Sequence, residues 1–303
     1  MLQIRAPELS RYCDEPRQLP SGGLGKNASL QLGFARRGER TALVELGRRA
    51  PLLVQQALYW DDEMPRLPCV SIISNAGGIL QGDRYAIDID LAEGAEAHIT
   101  TQAATKIHEM DANFASQTQD ITLAANAYLE YLPLPVIPHK NSRFVSHTRI
   151  RLDPTATLLY SEILMPGRKY YGGGEIFAYE LFSAAVQAER LDGEALFSEK
   201  FVIEPCRMDI RNLAVMDRFD VFANVLLLTP KEQADRLFEQ VEPVFSEREG
   251  WAAGVSRLPN NAGLIFKVLG TETQIVRARV RAFWSCVRLE VKGIPVPEEF
   301  LWE

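Results

Sequence analysis

NAGGILQGDRYAIDIDLAEGAEAHITTQAATK, residues 75–106, decides the architecture of this chain. Gly77-Gly78 and Gly82-Asp83 mark two turns, and residues 85–91 then alternate apolar with polar side chains at the two-residue period of a strand. Gly94 marks another turn, residues 97–101 read as a second strand, and the small residues of TTQAATK close the stretch on a further turn. The unit is therefore strand, turn, strand, turn.

Parts of that unit recur. Leu91-Ala92-Glu93-Gly94-Ala95 returns as Leu123-Ala124-Ala125-Asn126-Ala127 and again as Leu152-Asp153-Pro154-Thr155-Ala156, each leading into a strand. The alanines Ala95, Ala127 and Ala156 stand at intervals of 32 and 29 residues. A coiled, solenoid-like β structure produces this spacing, because each layer buries its apolar face on the next. Three similar hairpins in a sandwich would also produce it, and spacing alone leaves the two open. Further strands are expected at 29–34, 41–46, 69–74, 119–123, 128–132, 144–152, 157–163 and 176–183.

Two late segments have helical periodicity. In residues 230–245, Ala234, Leu237, Phe238, Val241 and Phe245 share a face behind a leading proline. In residues 271–291 the stripe is Ile275, Ala278, Ala282, Cys286 and Leu289, with Arg277, Arg279, Arg281 and Arg288 off it as a solvated or partner-facing side. Residues 1–26, rich in Pro, Gly and charge, are expected as a loosely ordered lead-in to a single domain spanning 1–303.

Composition narrows the function. With 47% hydrophobic residues and a net charge of -7 over 303 residues, the chain is globular and lacks the clustered Lys and Arg of a nucleic-acid binder. No signal-peptide core and no membrane-length apolar run occurs, so the expected compartment is the cytoplasm, with no membrane partner. Cys13, Cys69, Cys206 and Cys286 form no CxxC and are expected as reduced, mostly buried thiols.

Familiar catalytic motifs are missing. The segment PSGGLGKN at 20–27 has Pro20 where a phosphate loop needs its first Gly and Asn27 where it needs Ser or Thr, so nucleotide binding is rejected. No GxSxG nucleophile elbow exists, and Gly172-Gly173-Gly174 reads as a turn. His98, His108, His139 and His147 have no metal-ligand spacing among themselves.

Carboxylates beside turns and within strands remain. Asp83 follows Gly82, where a turn-capping role is the plain one. Glu162 lies inside LLYSEIL, residues 158–164, where alternation puts it on one face with Tyr160 and Leu164. Both faces are apolar, so Glu162 is expected to point inward, where it needs a counter-ion, water or a metal. Arg168 and Lys169 are the nearby candidates for a purely structural ion pair. Glu199, in ALFSEKFV, could simply face solvent.

The ordered string of Gly77-Gly78, Ile79-Leu80, Gly82-Asp83, Gly94-Ala95, Thr100-Thr101 and Ala104-Thr105-Lys106 resembles the UreD (UreH) family of urease accessory proteins. The likeness continues through LPLPVIP at 132–138, Gly167-Arg168, Gly174-Glu175 and Glu199-Lys200. It implies a mainly β fold, a superhelical, β-helix-like stack of short strands with a few helices near the C-terminus, which favours the solenoid over the sandwich. It also implies a non-catalytic scaffold that binds apo-urease structural subunits and recruits a UreF-like protein and a UreG-like GTPase. No cofactor is held tightly on this reading; nickel(II) is in transit through an internal tunnel. Carried onto this sequence, the positions of nickel passage are Asp83, Thr105, Glu162 and Glu199. Oxygen ligands of this kind release nickel more readily than thiolate or imidazole, as a conduit requires. The chain departs from the family pattern at Tyr131, at Leu134-Pro135, at His108 and at His139, the last a candidate extra stop for nickel. Two other readings stand beside this one: a β-helical polysaccharide enzyme using Glu162 and Glu199 as paired carboxylates, and a passive interaction scaffold.

Overall fold

The structure, a computed structural model, describes residues 6–13 and 26–300. Strand β1 (Asn27–Arg37) and strand β2 (Arg40–Arg49) form an antiparallel hairpin, followed by β3 (Leu52–Leu53) and β4 (Cys69–Ser74). A coil then runs through β5 (Arg84–Leu91), β6 (Glu96–Thr101), β7 (Thr105–Ile107), β8 (Ala115–Leu123), β9 (Tyr128–Tyr131), β10 (Val136–Pro138), β11 (Arg143–Leu152), β12 (Thr157–Leu164) and β13 (Leu181–Arg190). Beyond it come β14 (Ala195–Ile203), β15 (Val221–Leu228), α1 (Lys231–Gln240), β16 (Val244–Ser246), β17 (Trp251–Arg257), β18 (Gly263–Gly270) and α2 (Thr273–Lys292).

Each turn of the coil adds one strand to each of two facing sheets. β5, β8, β11 and β13 lie parallel in the first, and β4, β6, β9 and β12 lie parallel in the second. A narrow third face is made by β7 and β10, with Ile79 bridging to Ile107 and Val136 pairing Leu164. The fold is thus the mainly β stack expected, without closure into a barrel.

The sequence repeat marks the corners of this coil. Leu91 pairs with Leu123 and Leu123 with Leu152, so the three leucines lie in one row. The N–H of Tyr128 donates to the carbonyl of Ala95, and that of Thr157 to Ala127, at 2.9 Å in both cases. The alanines are buried, where a larger side chain would push the stacked corners apart. Gly94 and Asn126 take positive φ at equivalent corner positions, a backbone state that glycine and asparagine tolerate.

The ends of the stack are finished differently. The first sheet continues antiparallel into β2 at one edge and β14 at the other. The second continues through the antiparallel meander β15, β18, β17 and β16. Leu158, Tyr160 and Leu164 of β12 join the core between the sheets, whereas Leu159 and Ile163 join a second core under the helices. The alternation read from the sequence therefore describes β12 correctly.

Several expectations need correction. The first late helix stops at Gln240 rather than continuing to 245, because Pro243 cannot donate to a helix and disfavours helical backbone at Glu242 before it. Phe245 lies instead in the edge strand β16 and is exposed. Residues 176–180 are irregular, and β13 begins at Leu181. Only Cys69 of the four cysteines is buried. Within the proline-rich lead-in, Pro7–Tyr12 is a 3-10 helix whose Leu9 and Tyr12 are buried against Val145 and Leu181, so this part is docked rather than loose. Residues 1–5 and 14–25, including most of the glycine-rich 20–27 segment, lie outside the described residues.

Helix α2 is turned the other way from expectation. Its buried residues are Val276, Val280, Phe283, Trp284, Val287 and Arg288, while Ala282, Cys286 and Leu289 face outward. Two apolar stripes compete on this helix, and the one with the larger side chains is buried. Each such valine or aromatic side chain gains about 1.5–3 kcal/mol on burial, well above what an alanine returns.

Arg288 follows that face inward. Its Nε and Nη2 donate to the two oxygens of Glu130 at 2.7 and 2.8 Å, and Nη1 reaches Asp61. Tyr128 Oη also donates to Glu130 at 2.7 Å, and His98 Nδ1 lies 2.8 Å from its other oxygen. His98, Glu130 and Arg288 are fully buried, and the imidazole stacks on Trp284 with Phe300 edge-on. Burial by itself would raise the Glu130 carboxyl, but the hydrogen bonds and charge of Arg288 and His98 hold it far below the usual range. Strand pairing assembles this cluster from residues remote in sequence: Cys69 pairs His98, and His98 pairs Glu130.

Candidate functional site

Between the two sheets the coil encloses a cavity of about 260 Å³. The first sheet lines it with Gln119 and Phe144, the second with Tyr131, Tyr160 and Glu162, and the narrow face with Thr105 among others. Its wall is mostly apolar, and a hydrogen-bonded polar strip crosses it. Tyr131 Oη donates to Gln119 Oε1 at 2.6 Å, and Gln119 Nε2 donates to Thr148 Oγ1 at 2.8 Å and to Tyr160 Oη at 3.1 Å.

Glu162 stands at the end of that strip. Its Oε2 is buried and has no hydrogen-bond partner among the described residues. Burial pushes the carboxyl up to about 7, with the nearby Tyr160 hydroxyl opposing it and the Glu199 charge acting in the same direction as burial. Arg168 and Lys169, the candidate structural partners, are engaged elsewhere. Arg168 Nε donates to Glu175 at 2.8 Å, and Lys169 Nζ lies 2.9 Å from Asp220 and 2.6 Å from Glu272. The neighbour that β15 supplies is Asn224, directly paired with Glu162, and its Oδ1 is likewise buried without a partner among the described residues. Two unsatisfied oxygens side by side in an apolar wall are costly unless a proton, water or cation serves them.

The other expected residues lie in different settings. Thr105 is half-buried at the start of β7 and shares the cavity with Glu162. Asp83 is fully buried but is not among the residues lining the cavity. Its Oδ1 accepts from the backbone N–H of Lys26 at 2.8 Å, and its Oδ2 accepts from Leu80 N–H at 2.9 Å and Tyr85 Oη at 3.1 Å. The carboxylate is consumed in fixing the turn, and it reaches the cavity only through Tyr85, which does line it. Replacing Asp83 by alanine strands three donors, and the urea unfolding midpoint should fall by the equivalent of about 1–3 kcal/mol.

Glu199 bridges the sheets at the open edge of the coil. From β14 its Oε2 accepts from Asn224 Nδ2 at 2.8 Å, and its Oε1 from Lys267 Nζ at 2.6 Å. Glu199, Asn224 and Glu162 thus form a row leading from a half-buried rim to the cavity, with a lysine at its outer end. Asn224 and Lys267 are not legible in the sequence as site residues, because their place depends on β15 and β18 docking beside β12. Their one signal in the sequence is polarity inside otherwise apolar strands.

Among the described residues, no group of three or more His, Cys, Asp or Glu side chains is arranged to hold a metal ion. The side-chain oxygens of the residues lining the cavity belong to hydroxyls, amides and the Glu162 carboxyl, weak ligands suited to brief contact with a cation rather than retention. No helix of the described residues is long and apolar enough to cross a membrane.

Comparisons with known proteins find relatives along nearly the whole chain. The family described as UreD urease accessory protein matches residues 26–303. Urease accessory protein UreD 2 of Brucella suis is 63% identical over 298 residues, covering 98% of this chain and 99% of that protein. Urease accessory protein UreD of Yersinia pseudotuberculosis is 50% identical over 301 residues, covering 99% of this chain and 94% of its own length.

Proposed function

We propose, from the premise that this chain belongs to the UreD family of urease accessory proteins, that it is a non-catalytic scaffold of urease maturation that passes nickel through the interior of its coil. It docks apo-urease structural subunits on one side and a UreF-like protein with a UreG-like GTPase on the other, in the cytoplasm. Nickel(II) is the cargo and no cofactor is resident. One observation carries the reading: an unpaired Glu162 carboxylate oxygen in the wall of a cavity that also receives Thr105.

In this proposal Glu162 and Thr105 touch the ion, Glu199 stands at the rim, and Asp83 keeps the turn and Tyr85 in place. A hydrated divalent cation entering an apolar chamber gains most from the single carboxylate, and it leaves easily because no second anion completes a cage. The acidic balance of the chain favours entry of a cation through its long-range field.

The test is co-expression with a urease operon, followed by co-purification and metal analysis of the urease. Glu162→Gln is expected to leave assembly unchanged and to lower urease nickel several-fold. It is preferable to Asp83→Ala, whose effect on folding would confuse the result. Unchanged nickel content with normal assembly would leave only a passive scaffold.

A further inference from the structure

A second group of metal-binding chemistry lies on the narrow face, outside the row from Glu199 to Glu162. Ile107 and Pro138 are paired on adjacent turns of the coil, so the residues that follow them, His108 and His139, stack one above the other. Their backbones are fixed: His108 N–H donates to Ile79 O at 2.9 Å, and His139 N–H to Ile107 O at 2.8 Å. The ring centroids are 4.9 Å apart with the planes at 71°. Among the described residues no hydrogen bond or ion pair engages either ring.

That separation fits shared coordination. Two imidazoles bound side by side to one ion, at metal–nitrogen distances of about 2.0–2.1 Å and angles of about 90–110°, place their centroids roughly 4.6–5.3 Å apart. The pair also adjoins the cavity wall at Gly78, where an added Cβ would lie 2.7 Å from His108 Nε2 and 2.7 Å from the carbonyl of Lys106. Only the absence of a side chain at Gly78 lets the imidazole sit there.

We propose that His108 and His139 together form a two-imidazole site for a borderline divalent cation, nickel(II) in this protein, beside the wall of the internal cavity. The choice of nickel rests on the transit reading above, whereas the site itself rests on the ring geometry. The groups around the pair are mixed in charge. Lys106 and Arg168 are cationic, Glu175 is anionic, and Arg168 and Glu175 neutralise each other in a salt bridge. Burial first, then Arg168 and His108, disfavour the charged form of the His139 ring. With two protein ligands and water for the rest, the ion exchanges quickly and hard ions such as Mg²⁺ are refused.

The experiment is equilibrium dialysis of the full chain with Ni²⁺ alone at neutral pH, with Mg²⁺ as control, and X-ray absorption of the bound nickel. The expected result is an imidazole signature that disappears, together with one exchangeable Ni²⁺ equivalent, in His108→Gln/His139→Gln, and that persists in Glu162→Gln. His108→Gln alone should show the same loss, which guards against a folding effect at the buried His139. Nickel bound equally by the histidine variants, or without imidazole ligands, overturns the site whatever Glu162→Gln does to urease. Conversely, loss of the imidazole signature in those variants sustains the site even if urease nickel ignores Glu162, in which case only the transit reading fails.

Discussion

Arg288→Met is expected to destabilise the protein by about 3–5 kcal/mol, because it leaves two carboxylates buried without their cation. Glu130 and Asp61 both lose their partner in a place that water does not reach, since Glu130 and Arg288 are fully buried and Asp61 nearly so. Urea unfolding monitored by tryptophan fluorescence measures the loss, and Trp284 beside the cluster makes the signal local. Adding Glu130→Gln should return part of the stability, since the uncompensated charge falls; no recovery would mean that the cost lies in packing. The same cluster fixes a pH response. Glu130 ionises far below its ordinary 4.5 in the folded chain, so the unfolded state takes up the proton first as pH falls. Its contribution is present above that ordinary value and is lost progressively below it. Acid should therefore loosen α2 and the segment leading to Phe300.

Glu162→Gln should act in the opposite sense on stability, and strongly. The folded carboxyl titrates at about 7 against an ordinary 4.5, so between those values the folded state holds a proton that the unfolded state has released. Stability consequently falls as pH rises through this window, and the full penalty is in place above about 7. Glutamine carries no charge and escapes it. The variant is expected to exceed the wild type by up to about 3 kcal/mol at pH 8, with the gap nearly closed at pH 4. Denaturant midpoints at the two pH values give the answer directly, and a gap independent of pH would show that Glu162 is not charged in its cavity at pH 8. Ni²⁺ added at pH 8 should stabilise the wild type more than the variant, because a cation bound at Glu162 offsets the charge that burial opposes. A side chain that weakens the fold at working pH and pairs with no cation is the kind retained for a task rather than for folding.

Part of the site is legible in the amino-acid order. Glu162 sits at an inward position of an apolar strand, and the two-residue period alone assigns that face. Thr105 and Asp83 rest on motif likeness, and the motif does not distinguish a residue on a passage from one that shapes a turn. Asp83 follows Gly82 in a pattern that serves either role, and three hydrogen bonds give it the second. Glu199 has the local pattern of a solvent-facing residue, yet it holds two sheets together through Asn224 and Lys267.

By itself the sequence determined a repeat of strands and corners and the family, and the family likeness favoured the coil. The repeat of corner residues near thirty apart suited a stacked coil or a sandwich, and the rows Leu91, Leu123, Leu152 show that it marks the corners of a coil. Tertiary structure alone decided which stripe of α2 turned inward, which carboxylates found cations, and that His108 and His139 would meet. The physical reason is range: local periodicity fixes the direction of a side chain from its own element. Its partner depends on how elements separated by tens to hundreds of residues pack, where the larger buried area and the better-satisfied charges win.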